Sequence, residues 1–328
     1  MLCGLPFSET RFHWPWSMGT THFVGFMKTR HARLSSAYDR PPSAVGGIAG
    51  PERHSPRAVV KRCRGVLRLT IQSAHLKKEA KRLGRSPNAL IIAEMCGKEC
   101  ARTEVRPRTW TPNWMEDTHD LLIYDFEEHM KLRFYTHHDV RPDRLLATAE
   151  LCLDTLGLDQ KQYGRIIDLH HPWTNSVVGD VLLNLEYFPT LEPSGKICTE
   201  SGVLGVTIHQ GKALAPMDEE EMLGHPPVAV FSLGWASPAI HTAATAYRLG
   251  DPENPAWEAN FETFCCAQGP IVTVKIMESK RSNGCLGHMS VPLSDILERN
   301  IVGPTWWPLT GSKNGKLLMS LEWRPISA

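Results

Sequence analysis

The sequence predicts an all-β protein: two eight-stranded antiparallel β-sandwiches in tandem, behind a disordered N-terminal leader. Three observations carry this expectation. The 328-residue chain repeats itself at a nearly constant offset. Each repeat is made of short, partly alternating apolar runs separated by turn-forming residues, the pattern of half-buried strands. Residues 1–64 are rich in Pro, Gly, Ser, Arg and His and carry no hydrophobic period, a composition that buries too little apolar surface to order itself.

The repeat rests on three landmarks in the same order. "GVLRLTI" begins at Gly65 and "GVLGVTI" at Gly202, 137 residues later. "TPNW" ends at Trp114 and "NPAW" at Trp257, 143 later. "GDVLLNLEYFP" begins at Gly179 and "GKLLMSLEWRP" at Gly315, 136 later. Such spacing marks two copies of one domain. The expected division is a leader over 1–64, a first domain over 65–190, a linker over 191–201 and a second domain over 202–326. The linker lies in "TLEPSGKICTESG", the Pro/Gly/Ser-rich break between the copies, and should separate two independently foldable units.

Within each copy the elements read in order. Val66, Leu67, Leu69 and Ile71 open the first copy as a partly alternating strand; Leu182, Leu183, Leu185 and Tyr187 close it the same way. Two segments, "LDTLGLDQKQY" and "LSDILERN", read instead as short helices before the penultimate strand, with Asp154 and Ser294 as N-caps. Trp114, Trp257, Trp306 and Trp307 are expected as core or sheet-edge aromatics. A domain of this length buries enough core to fold without metal or disulfides.

Charge is distributed unevenly. The formal net charge is +1, but it is +4 over 1–60, +9 over 61–110, −9 over 111–200 and −3 over 201–328. Blocks of one sign point to charged partners. Nine cysteines in this length make no disulfide framework, and Cys152 and Cys285 sit in apolar runs where a reduced thiol packs as a small hydrophobe. No apolar run approaches the roughly 18 residues of a membrane span. No basic segment followed by an apolar one marks a secretory signal. The expected setting is reducing and cytoplasmic.

The landmarks also carry a resemblance. "GVLRLTI", "SPNALIIAEMCGKECARTEV", "TWTPNWMED" and "GDVLLNLEYFP" in the first copy resemble the strands of a C2 domain. In the second copy "GVLGVTI", "PPVAVFSLG", "ENPAWEANFETF", "CLGHMSVPLSDIL", "WWPL" and "GKLLMSLEWRP" do so too. The pair resembles the tandem C2 domains of the extended synaptotagmin/tricalbin family, without that family's lipid-carrying domain or membrane hairpin upstream, and so is expected to be a truncated product or a free-standing relative. The resemblance implies membrane tethering at endoplasmic reticulum–plasma membrane contacts, with anionic phospholipid as ligand.

It also implies where calcium would sit. Calcium-type C2 domains hold the ion with about five carboxylates from loops at one end of the sandwich, because a hard cation needs several oxygen ligands. In the first copy the Ser-Asp-Pro of the family becomes Ser86-Pro87-Asn88. Counting back from Ala147, the third loop's ligand positions fall on Thr136, His138 and Arg144, with Asp139 and Asp143 one residue out of register. Calcium is therefore not expected as a cofactor of the first copy. In the second copy Asp218, Glu219, Glu220, Glu221 and Glu278 are the acidic candidates for a metal site, and a solvated acidic loop accounts for them better.

The first loop of copy one, "AHLKKEAKRLGRSPNAL", carries Lys77, Lys78, Lys81, Arg82 and Arg85 against the single acid Glu79. In "KECARTEVRPR", which Lys98 opens, alternation predicts Arg102, Arg106 and Arg108 on one strand face around Glu104, with Ala101, Thr103 and Val105 inward. The family resemblance makes that strand a groove for anionic headgroups. Each cation near an anionic membrane contributes up to ~1 kcal/mol, so the loop's five cations and the strand's three arginines suffice for weak, salt-sensitive docking but not for stable anchoring, with Lys98 as a further candidate contact. Nucleic acid is not expected as a partner: residues 61–108 contain no Phe, Tyr or Trp to stack on bases. The acidic second copy suits a protein partner instead.

Enzyme chemistry finds no support. Cys96 and Cys100 lack a second pair at zinc-site spacing. The adjacent pairs His137-His138 and His170-His171 point to opposite strand faces, and Cys265-Cys266 reads as one buried and one exposed thiol. "GSKNGK" lacks the spacing of a phosphate loop. The expectation is a non-enzymatic, calcium-independent peripheral membrane tether or adaptor, with a protein-interaction scaffold as the alternative.

Overall fold

The computed structural model describes residues 62–327, apart from 78–84, 116, 155–159, 193–199, 215–226, 235–238, 246–252, 279–283, 300 and 302. The leader expected over 1–64 therefore lies outside the described residues up to 61, as does most of the helix expected after Asp154.

Each copy has eight strands. The first holds β1 (Gly65–Leu76), β2 (Ala89–Met95), β3 (Lys98–Arg102), β4 (Thr118–Ile123), β5 (His129–Thr136), β6 (Arg144–Cys152), β7 (Lys161–His170) and β8 (Val177–Pro189). The second holds β9 (Ser201–Lys212), β10 (Val228–Gly234), β11 (Ala239–Ala244), β12 (Ala256–Cys266), β13 (Ile271–Met277), β14 (Cys285–Pro292), a helix α1 (Leu293–Glu298), β15 (Thr305–Pro308) and β16 (Lys316–Pro325).

The topologies match strand for strand. Copy one runs β3-β2-β5-β6-β7-β8-β1-β4; copy two runs β11-β10-β13-β14 in one sheet and β12-β9-β16-β15 in the other. In copy one the halves meet at a single residue pair, Thr148 with His170. Copy two makes the corresponding bridge between His288 and Thr310. Both are thus sandwiches of two four-stranded layers hinged at one seam.

The repeated landmarks have a packing reason. At Gly65 a Cβ would stand 2.5 Å from the Phe188 carbonyl oxygen, and at Gly202 2.6 Å from that of Arg324. Only glycine lets the closing strand pass so near the opening one. Trp114 and Trp257 are buried, and each donates its indole N–H to a carbonyl, Glu104 at 2.7 Å and Pro227 at 3.0 Å. Burying a large ring is favourable only when its polar atom is also satisfied. Around them lie two separate cores, one built on Leu67, Ile91, Phe134 and Leu183, the other on Leu204, Phe231, Val274 and Leu317.

Two local expectations need correction. The helix α1 is capped two positions earlier than expected: Pro292 is its N-cap, with no side-chain cap, and the Ser294 hydroxyl donates to Asp295 at 3.3 Å. Burial of Leu293 and Ile296 holds the short helix in place of a cap. Cys285 is exposed and Cys152 only half-buried, because each falls at a strand end beside the core. Cys265 is buried and Cys266 exposed, as alternation requires, and the seven described cysteines are free thiols.

The copies also touch. Cys63, Val66, Val203 and Ile326 form a buried cluster shared between them, flanked by Leu122, Tyr124, Phe188 and Phe264. The chain after β8 pairs with the end of β16: the Leu191 N–H donates to the Pro325 carbonyl at 2.7 Å and the Ser327 N–H to Pro189 at 3.0 Å. Arg324, 5% exposed, donates to the Cys63 carbonyl at 2.9 Å and pairs with Glu262.

Candidate functional site: a cationic cleft in copy one

One end of copy one gathers the turns that join β1 to β2, β5 to β6 and β7 to β8. Strand direction dictates this: β1 ends where β8 begins, with Leu76 opposite Gly179. Likewise β5 ends where β2 begins, with Thr136 opposite Ala89. Backbone contacts stitch the turns together. The His137 N–H donates to the Asn88 carbonyl at 2.8 Å, and the Lys77 N–H to that of Val178 at 2.8 Å.

Where the β1–β2 and β5–β6 turns meet the connection from β3 to β4 opens a cleft of about 700 Å³ lined by Arg85, Asn88, Arg108, Trp110, His138 and Arg144. Arg144 is the first residue of β6, so its side chain is aimed by a strand end rather than a loose loop. Arg108 adopts φ 50 in the turn after β3, and its N–H donates to the Asn88 side chain at 3.2 Å. None of the three arginines forms an ion pair with a described residue. Three such guanidiniums around one cavity can accept an anion, because each carries a planar array of donors that fits phosphate oxygens.

The nearby acids are engaged elsewhere. Asp143 lies 2.8 Å from the His137 ring and accepts the His138 backbone N–H at 3.1 Å. Asp139 stands 3.6 Å from the other nitrogen of His137 and is 94% exposed. Among the described residues no group of three or more His, Cys, Asp or Glu side chains is arranged to hold a metal ion.

A family model for the C2 domain matches residues 65–169 and again 202–309. The chain belongs to the C2 domain family. Its two C2 domains stand in tandem, as in solved relatives. The paired C2 domains of Extended-Synaptotagmin 2 superpose with a TM-score of 0.61 at 16% identity, over 87% of this chain and 99% of that one. A longer structure of Extended-Synaptotagmin 2, in which an SMP domain accompanies the C2 pair, gives 0.64 at 19% identity over 81% of this chain and 58% of that one. Tricalbin-2 of Saccharomyces cerevisiae is 20% identical over 271 residues, 80% of this chain and 22% of that protein. An uncharacterized protein of Schizosaccharomyces pombe is 25% identical over 240 residues, 72% of this chain and 19% of that protein. The chain thus spans about a fifth of the length of these curated relatives.

The first C2 domain distributes the nine cations named from the sequence into three groups. Lys78, Lys81 and Arg82 lie outside the described residues. Arg85 and Arg108 line the cleft, and Lys77 stands exposed at the end of β1. The remaining three sit on or beside β3, and two of them are already paired. Arg102 makes a bidentate pair with Glu99 at 2.7 and 2.9 Å. Arg106 donates to the Asn113 carbonyl at 2.9 Å and lies 3.5 Å from Glu104. Lys98 makes no ion pair with a described residue.

The strand face expected over 102–108 is shorter than alternation suggests. β3 ends at Arg102, Thr103 is buried as expected, but Val105 is 39% exposed. The chain leaves the sheet after Thr103 and touches it again only at Arg106, opposite Ala89. On the same outer face Arg133 pairs with Glu94 at 2.8 Å. Arg102, Arg106 and Arg133 on this outer face are thus held in internal ion pairs, whereas the three cleft arginines make none with a described residue.

His138, Arg144, Asn88 and Trp110 complete the site and were not among the expected lipid contacts. The signal for two of them was present: Thr136, His138 and Arg144 are the residues that fall on the family's third-loop ligand positions, and all three line the cleft. In the second C2 domain Asp218, Glu219, Glu220 and Glu221 lie outside the described residues. Glu278 is seated at the β13–β14 connection, its N–H donating to the Gly284 carbonyl at 2.8 Å.

Proposed function

We propose that this tandem C2 module binds anionic phospholipid without calcium and acts as a non-enzymatic peripheral membrane tether or adaptor. One observation carries the reading: where a calcium-type C2 domain gathers carboxylates, the first domain gathers Arg85, Arg108, Arg144 and His138 around an open cleft. Calcium in such a site serves to bridge protein carboxylates to lipid phosphate. Arginines of the right sign meet the phosphate directly. Family resemblance to tricalbins and extended synaptotagmins supports a seat at contacts between endoplasmic reticulum and plasma membrane. Among the described residues no helix is long and apolar enough to cross a membrane.

The test is co-sedimentation of the chain with vesicles of phosphatidylcholine alone and of phosphatidylcholine mixed with phosphatidylserine, across salt concentrations and with or without chelator. Salt-sensitive pelleting with the anionic vesicles only, unchanged by chelator, is the expected result. Equal pelleting with both vesicles, or tighter binding to a single-stranded oligonucleotide, overturns it. The second reading, a protein-interaction scaffold, gains from a parent chain that ignores every vesicle.

A further inference from the structure

We propose that Trp173, at the tip of the β7–β8 hairpin, is the bilayer anchor of the first C2 domain, inserting into the headgroup boundary of the anionic membrane that the neighbouring cleft engages. The inference rests on the proposed lipid binding but concerns a different residue and a different force. Trp173 is 75% exposed, although an indole of this size is normally covered by the fold that carries it. The ring contact it makes is with His171, at 5.4 Å between centroids.

The turn holding it is not slack. The His171 N–H donates to Ser176 at 2.8 Å, the Asn175 N–H to His171 at 3.0 Å, and the Thr174 and Ser176 hydroxyls meet at 2.8 Å. Asn175 takes the left-handed φ of 54 that closes the turn. A pre-ordered tip loses little conformational freedom on docking.

Its position selects the occupant. β7 reaches the turn through His170, which pairs with Thr148, four residues past Arg144 in β6. β8 leaves it through Val178, whose carbonyl accepts the Lys77 N–H. The tip therefore stands at the same end of the sandwich as the three cleft arginines. Val140, 97% exposed in the β5–β6 turn, adds a second apolar point at that end. Cations and a protruding indole at one end match an anionic bilayer interface. The cations meet phosphate, and the amphipathic ring sits at the boundary where tryptophan partitions best. The corresponding β15–β16 turn of the second domain, "GSKNG", carries Lys313 and no apolar side chain.

The two forces separate experimentally, because charge attraction is screened by salt and burial of an indole is not. The full chain, Trp173→Ala, Trp173→Phe and Arg144→Glu are compared on mixed phosphatidylcholine/phosphatidylserine vesicles. Trp173→Ala is expected to weaken binding about tenfold at every salt concentration, leaving the salt slope intact, with Trp173→Phe recovering most of the loss. Arg144→Glu is expected to flatten the slope. With brominated phosphatidylcholine in the vesicles, tryptophan quenching seen in the parent should fall in Trp173→Phe. A Trp173→Ala chain that binds like the parent, with quenching unchanged in Trp173→Phe, overturns the anchor while salt-sensitive pelleting leaves lipid docking standing. A parent that ignores anionic vesicles overturns both.

Discussion

The two C2 domains share a strand order, a glycine at the opening strand, a buried tryptophan and a single-bridge seam, yet the described turns at the cleft end of the first differ in chemistry from their counterparts in the second. The first presents Arg85, Arg108 and Arg144 around a cleft and an exposed Trp173 at the same end of the sandwich. The second has Glu278 at the start of its β13–β14 connection, where Lys280 and Arg281 follow in sequence outside the described residues, and Lys313 as the one charged residue of its "GSKNG" hairpin turn. Topology is set by core residues that both copies keep; function is set by turn residues that the sheet does not constrain. A duplicated scaffold can therefore dedicate one copy to a charged surface and free the other for support or for a second partner.

The sharpest way to break this contrast is charge reversal in the full chain. Arg108→Glu with Arg144→Glu replaces two cations of the cleft by acids. At up to ~1 kcal/mol per cation near an anionic surface, and comparable repulsion once reversed, binding to phosphatidylserine vesicles should fall about a hundredfold or more. The matched reversal in the second domain, Lys275→Glu with Lys313→Glu, should change it less than about threefold. Equal losses from the two pairs would show that the copies dock alike.

How much of this contrast is legible in the sequence follows from where each signal comes. The fold was readable because repeated landmarks are imposed by close packing: Gly65 and Gly202 sit where a Cβ has no room, and Trp114 and Trp257 fill the same core position. The basic character of the first domain was also readable, since net charge needs no coordinates. The site itself was only half readable. Alternation placed Arg102 and Arg106 on an outer face but said nothing of Glu99 or the Asn113 carbonyl, which occupy them. Arg144 and His138 are far in sequence from Arg85, and only the pairing of β2 with β5 brings them together. The shared cluster at Cys63 and Ile326 was not legible at all, because residues of both copies appear in sequence as ordinary strand ends.

That cluster gives the next prediction, since it decides whether the copies act as one body. Arg324→Ala leaves Glu262 without its ion-pair partner in a largely buried site and removes the bond to the Cys63 carbonyl. Breaking such a pair from one side costs about 3 kcal/mol. Denaturant unfolding should shift accordingly and, if the copies uncouple, split into two transitions. The exposed pair Arg102–Glu99 serves as control, and Arg102→Ala should cost less than about 1 kcal/mol. A single unshifted transition for Arg324→Ala would show that the joint contributes nothing. An early proteolytic cut within 191–201 that leaves the two halves associated would agree with a coupled pair.

Thiol labelling reads the same joint with a smaller effect. Burial pushes the Cys63 thiol up to about 11, and that of Cys265 up to about 12. At neutral pH both are protonated and covered, so alkylation should be slow compared with exposed Cys96 and Cys266. In Arg324→Ala, Cys63 should become labelled at a rate nearer the exposed thiols while Cys265, inside the second core, stays protected. Fast labelling of Cys63 in the parent would mean that the joint opens freely.

The smallest expected effect is that of calcium, and it tests the contrast from the other side. A divalent ion about 6 Å from a guanidinium is repelled by roughly 1 to 6 kcal/mol, depending on whether water or the protein surface sets the dielectric. Three arginines line the first cleft, and the acids that would offset them, Asp139 and Asp143, face His137 instead. Calorimetric titration of the full chain should therefore reveal no calcium site lost on mutating the first domain. Chelator should alter vesicle pelleting by less than about twofold. In the second domain Asp218 to Glu221 and Glu278 are the acidic candidates for the ion. Any heat seen should vanish when these are neutralised to Asn and Gln, without changing vesicle affinity. Heat that survives that neutralisation, or a chelator that releases the protein from vesicles, would mean that a carboxylate site operates in the first domain and that its arginines are not the membrane contact.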